Sequence, residues 1–301
     1  MNRALAVVAA VTMVVGSLLL RSRLDDTSGG DNGGNGKVVL ACVTELADAC
    51  NALAGANVEI RIADAGTTSK SVSGIDGWVT LDPWPEIAGL SASPVRVASS
   101  PLVIAAVAER AAVLQAHCGG TIGWKCLGDA IESDWASIGG QPEWGKVRVG
   151  IPSVKTATGL LLIGNATAGY FGRPDVATND FDVDDGFLAW FAKLKRAQQP
   201  ADPFPTFIQQ FPASFSAVGV IEAKETAGVG VKPVTVVNPT PQASAVVVVA
   251  PVNPSTEGRV RTLARSAALR DALKAQGWNI DAVPTNSGLP GAGVLLALST
   301  R

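Results

Sequence analysis

Apolar and polar positions along this chain change period repeatedly. Residues 37–42, KVVLAC, form a short apolar run, and TELADACNALAG after it places Leu46, Ala49, Cys50 and Leu53 on one helical face. NVEIRIAD predicts a second strand, followed by the polar AGTTSKSVSG. GWVTLDPW and VRVASSPLVIAAV read as further strands. After Ala108 the pattern reads as a turn into a loop bounded by Cys118 and Cys126, then a short helix at LGDAIES. The segment KVRVGIPSVKTATGLLLI alternates over Val147–Ile151, halts at Pro152, passes a hydroxyl-rich turn and enters an apolar helix near Gly159. A helix over 184–197 follows, then an irregular Pro-rich stretch, PADPFPTFIQQFP. AVGVIEA and ASAVVVVAPV read as buried strands. TEGRVRTLARSAALRDALKAQGW reads as one or two helices, with Gly277 as a stop. The tail VPTNSGLPGAGVLLALSTR reads as an edge strand or a docked extension. Strands alternating with helices predict an α/β fold with parallel sheets.

In such sheets, ligands bind beyond the carboxyl ends of the strands, where helix N-termini converge. Three segments share one design there: Val43-Thr44-Glu45, Gly66-Thr67-Thr68-Ser69 and Thr156-Ala157-Thr158-Gly159. The first N–H groups of a helix lack partners and carry partial positive charge. Thr156 and Thr158 add hydroxyls, and Gly159 permits close backbone approach to a ligand. One such turn is an ordinary N-cap, whereas three at strand ends can surround a pocket. Lys70 and Lys155 flank two of the turns, although solvated loop lysines are commoner than anion ligands. Trp78 and Trp84 read as buried strand-end rings before they read as a stacking surface. Asp82 reads as a turn cap ahead of Pro83.

Composition narrows the chemistry. The chain of 301 residues, 47% hydrophobic and 17% charged, holds one large or two ordinary globular domains. A net charge of −2 gives no basic footprint for nucleic acid. His117 is the one histidine, which excludes a His-rich metal site, and there is no nucleophile elbow for it to serve. No cofactor motif, metal set or base-paired nucleophile is visible, so the expectation is a non-enzyme without metal or cofactor. Residues 4–20, between Arg3 and the pair Arg21 and Arg23, carry no charge. They read as an uncleaved span, with a cleaved signal peptide as the alternative, over a segment of residues 1–24. Either way the bulk of the chain is extracytoplasmic. Residues 25–36, DDTSGGDNGGNG, read as a flexible linker with a reach of about 20 Å. Four cysteines allow three pairings, of which the local loops Cys42–Cys50 and Cys118–Cys126 are the simplest in an oxidising compartment.

The order of these segments resembles the type 2 extracellular, or periplasmic, solute-binding proteins of bacterial importers, nearest the molybdate/sulfate-like group. The resemblance is carried by VVLACVTELADACNAL, IADAGTTSKSVSG, SSPLVIAAV, WGKVRVGIPSVKTATGLLLI, FSAVGVIEAKE and AVVVVAPVNPSTEGRVRTLARSAALRDALKAQGW, spanning about 37–280. It implies a two-lobed α/β fold with two hinge-crossing strands, lobe one being 37–98 plus 236–301 and lobe two 99–235. By position it implies ligand contacts from Thr44, Thr67, Thr68, Ser69, Ser100, Thr156 and Thr158. The hinge falls at Ser99, Ser100 and Pro101, with the returning crossing near Thr235–Pro241. The implied function is a membrane-tethered protein that closes on a small polar or anionic solute and is read by a permease or sensor. The alternative is the same fold kept as an envelope interaction or structural module. The first loop departs from the family pattern, because Val43 has no hydroxyl and Glu45 opposes an anion.

Overall fold

The computed structural model describes residues 36–224 and 232–301. The expected span at 4–20 and the linker up to residue 35 lie outside the described residues. Among the described residues, no helix is long and apolar enough to cross a membrane.

Strand β1 (Val38–Val43) runs into a 3-10 turn (Thr44–Leu46) and a short helix α1 (Ala47–Asn51). The single helix expected over this stretch is thus broken in two, with Cys42 and Cys50 joined across the break. Next come β2 (Val58–Ala63), α2 (Ala65–Thr68), β3 (Gly77–Leu81) and α3 (Trp84–Ile87). VRVASSPLVIAAV forms one continuous strand, β4 (Val95–Val107, 13 residues). The expected turn after Ala108 is instead a helix, α4 (Ala108–His117), and α5 (Trp124–Ala130) follows. Cys118 and Cys126 bridge the connection between them.

Strand β5 (Val149–Pro152) leads into the helix α6 (Ala157–Phe171). Helices α7 (Thr178–Asp182) and α8 (Asp185–Arg196) then precede a short strand, β6 (Gln198–Gln199). The Pro-rich stretch contains a helix, α9 (Pro203–Gln209). Proline fits the first helical turn because the N–H it lacks would have no partner there, and Asp202 Oδ1 accepts the Phe204 N–H at 3.0 Å. Strands β7 (Ala217–Ile221), β8 (Val234–Val237) and β9 (Ser244–Pro251) follow. The chain ends in α10 (Glu257–Ala264), α11 (Ala267–Ala275) and α12 (Ala292–Thr300). The break between α10 and α11 is capped by Ser266, whose hydroxyl accepts the Leu269 N–H, and Gly277 closes α11 at φ 84°. The tail is therefore a docked helix rather than an edge strand.

The described strands form one sheet in the order β2-β1-β3-β9-β4-β7-β5-β6, with β8 also paired to β4. It is mixed, not parallel as expected. β1 pairs parallel with β2 and β3, and β5 pairs parallel with β6 and β7. The joints are antiparallel: β9 bonds to β3 and β4, and β4 bonds to β7 and β8. β4 spans the joint as one continuous strand. Its residues 95–101 pair with β9 and its residues 102–106 with β7.

Strand alternation explains how β4 serves two cores. Leu102, Ile104 and Ala106 join the main core, while Val103, Ala105 and Val107 pack with Phe204 and Phe207 of α9. α6 is apolar on every side and buried from Ala157 to Ala168, as expected of a helix enclosed by other elements. Its one amide, Asn165, is fully buried and satisfied: it accepts Trp124 Nε1–H at 2.7 Å and donates to the Pro241 carbonyl at 3.0 Å. α12 packs on α6 and α3, and Gly164 leaves room for Leu295. Asp76 ties β1 to the loop after β9. Burial pushes its carboxyl up, but the Val39 N–H (2.8 Å), the Thr256 hydroxyl (3.0 Å) and the Asn253 amide (3.0 Å), with the charge of Arg259, hold it below the ordinary range.

Candidate functional site

The three strand-end turns meet at the N-terminus of α6. Thr156 is its N-cap, accepting the Gly159 N–H at 3.0 Å and donating to the Ser153 carbonyl at 2.8 Å. The next free donor, the Thr158 N–H, donates to Glu45 Oε1 at 2.9 Å. Gly66, in the second turn, donates its N–H to the Lys155 carbonyl at 2.8 Å. Trp84 Nε1 donates to the Ala157 carbonyl at 3.3 Å. The first turn of α6 is thereby held by three segments that precede β4 in the chain.

A cavity of about 380 Å³ opens beside this junction. Thr44, Glu45, Asp64, Thr156 and Thr158 line one side of it, and Pro200, Ala201, Asp202 and Lys224 the other. A second cavity of about 380 Å³ shares Glu45 and Lys224 and is lined by Asp48, Phe204, Ile208 and Trp278, among others. Lys224 Nζ pairs with Asp202 Oδ2 at 3.0 Å, so that ammonium is already neutralised. The Thr44 hydroxyl lies 3.2 Å from both Glu45 Oε2 and Asp64 Oδ1. One hydroxyl proton can serve only one of the two carboxylates. Thr158 Oγ1 is buried with no hydrogen-bond partner among the described residues.

Of the seven hydroxyl residues expected around a ligand, Thr44, Thr156 and Thr158 line this cavity and the others are placed elsewhere. Thr67 is exposed, Thr68 is buried, and Ser69 Oγ donates to the Gly66 carbonyl within its own turn. Ser100 Oγ accepts the buried Ala223 N–H at 3.0 Å. Ser99 exchanges both backbone hydrogen bonds with Asn279, and Pro101 pairs with Ser244, so both lie within sheet pairing. Lys70 and Lys155 are exposed. Trp78 and Trp84 are buried, and Asp82, expected to cap a turn, instead pairs with Arg96 at 2.7 Å. Gly159 makes its close approach to its own chain. A Cβ there would stand 2.0 Å from the Ser153 carbonyl oxygen and 2.5 Å from that of Pro152. Sequence reasoning missed Asp64, Asp202 and Lys224, which come from three distant segments. The position of Asp64 at the carboxyl end of β2 was the one signal that could have found it. Among the described residues, no group of three or more His, Cys, Asp or Glu side chains stands close enough to hold a metal ion.

No protein-family model matches the chain, and no curated protein matches it in sequence. Solved structures do match in fold. The periplasmic binding protein AfuA from Actinobacillus pleuropneumoniae, solved with exogenous fructose-6-phosphate bound, is 13% identical with a TM-score of 0.56, over 82% of this chain and 85% of that one. The sulfate-binding protein SubI from Mycobacterium tuberculosis H37Rv is 14% identical with a TM-score of 0.52, over 86% and 96%. The chain has the mixed α/β, two-lobe-like fold of the type 2 periplasmic binding proteins.

Proposed function

We propose that this chain is an exported solute-binding protein that closes its cleft on a small polar ligand. The observation that carries this reading is the buried, unpaired hydroxyl of Thr158, a residue that lines a cavity where three strand-end turns meet. Leaving such a group unsatisfied costs about 1–3 kcal/mol, which a polar ligand atom would recover. The likeness to AfuA and SubI supports a binding role over catalysis. Residues 37–98 with 236–301 form one lobe and 99–235 the other. Closure is a hinge motion across β4 at Ser99–Pro101 and across the return at 235–241. Residues 4–20 tether the protein to the membrane, where a permease or sensor reads the closed form.

Phosphate- and sulfate-bearing ligands, as in the two neighbours, meet an obstacle here, because the Thr158 N–H is already taken by Glu45. That contact also favours a second reading, in which the fold persists as an envelope interaction module held shut by its own carboxylate. A thermal-shift panel of sugars, amino acids, amines and oxyanions on the purified full chain separates the two. A ligand at a hundredfold excess over its Kd stabilises the folded state by about 2.7 kcal/mol. Thr158→Val should weaken the hit while leaving the free protein as stable or more so, since it deletes an unpaired hydroxyl at constant shape. A folded chain that none of these solutes stabilises would leave the interaction module as the reading.

A further inference from the structure

We propose that the solute is a cation, an ammonium or guanidinium with an apolar portion, and that Glu45 sets this specificity by taking the place an oxyanion would occupy. The inference rests on the solute-binding reading above. The N-terminus of a 15-residue helix such as α6 would attract an external anion. Here two of its first-turn donors are spent, the Gly159 N–H on Thr156 and the Thr158 N–H on Glu45. An incoming oxyanion would find these two donors taken and would face the Glu45 and Asp64 carboxylates.

A cation finds the opposite. Glu45 and Asp64 share a single hydroxyl proton at Thr44, which leaves one of these two carboxylate oxygens without a protein donor. Thr158 is 3% exposed and lines the cavity, and its Oγ1 has lone pairs and no partner among the described residues. An ammonium supplies three donors and no acceptor, which matches what these groups lack. Lys224 does not cancel this field because it is paired with Asp202. The absence of a three-ligand cluster among the described residues points to an organic cation rather than a metal ion. The adjoining cavity, which shares Glu45 in its lining and is bounded by Phe204, Ile208 and Trp278, suits the apolar portion.

The test is calorimetric titration of the purified full chain with agmatine, tyramine, sodium sulfate and glucose. An amine is expected to bind, more weakly as salt rises, and Glu45→Gln is expected to weaken it at least about tenfold through loss of a charge-assisted hydrogen bond. Asp64→Asn, at an exposed position, should weaken it in the same direction. Glu45→Ala should gain sulfate binding that the wild type lacks, since it frees the Thr158 N–H. Sulfate or glucose binding to the wild type, with no amine binding, would overturn the cation inference and leave the solute-binding reading standing. Amine binding unchanged in both carboxylate variants would overturn it too. Silence towards all four probes, with a native circular dichroism spectrum, would overturn both.

Discussion

Gly159→Ala is the sharpest test of how the α6 N-terminus is built. An alanine Cβ at this position would stand 2.0 Å from the Ser153 carbonyl oxygen and 2.5 Å from that of Pro152. Both obstacles are backbone, at the end of β5 and in the turn whose Ser153 carbonyl also receives the Thr156 hydroxyl. Relief therefore needs the helix to move off the strand, which strains or breaks the Thr156 cap. Overpacking of this kind costs about 1–3 kcal/mol and a lost cap about 1, so the expected loss is about 2–4 kcal/mol. For a domain of this size that lowers Tm by roughly 5–15 °C. Gly164 in the same helix and Gly172, which caps its C-terminus, are controls. At Gly164 the nearest obstacle is the Cδ2 of Leu295, the end of a side chain that can turn away. At Gly172, with φ 70°, alanine costs about 1–2 kcal/mol for backbone reasons alone. Thermal and guanidinium unfolding followed by tryptophan fluorescence would rank the three. If Gly159→Ala stays within about 0.5 kcal/mol of wild type, or gains the stability that Gly→Ala brings to an unstrained helix, the close approach is not what fixes this residue.

Other expectations are simpler. Replacing Cys118 and Cys126 together by serine reopens a loop with a separation of 8 and should cost about 2–3 kcal/mol on the chain-entropy estimate. Equal guanidinium midpoints for the two proteins would refute it. Asp76 has a lowered folded-state pKa, so its contribution is present above the unfolded carboxylate value of about 4 and is lost as pH falls through the folded value. Asp76→Asn should therefore be less stable than wild type at pH 7, with the gap closing towards pH 3. A gap that holds constant in urea titrations across that range would contradict the assignment.

Much of this was readable from the chain, and the failures have physical causes. The strand-turn-helix at 147–171 was legible because alternation, a halting proline and a threonine cap agree in sequence. The helix at 108–117 was hidden because it follows β4 without a glycine or proline to mark the change of period. α9 was hidden by the opposite effect, since Pro203 and Pro205 read as breakers although the first turn of a helix tolerates them. α12 is nearly all apolar, and periodicity cannot tell a buried helix from a strand in such a run. The antiparallel joints of the sheet are long-range pairings that no local pattern encodes. At the site, the position of Thr44, Thr156 and Thr158 at strand ends was the signal for three residues that line one cavity. Glu45 was noticed for its charge and read as opposing an anion, and only the fold shows its carboxylate accepting an N–H from the first turn of α6.

The path of β4 has a consequence for how the molecule opens. Its amides are bonded to β9 over one stretch and to β7 and β8 over the next, and its alternate side chains belong to different cores. Neither end of the sheet can fray as far as this strand without disturbing a strand that the other end also uses. The slowest deuterium uptake should then trace a continuous line across the middle of the molecule, through β4 and β9, with uptake quickening outward towards β2 and β6. Motions that serve closure must be twists of that line, because breaking it would dissolve both sides together.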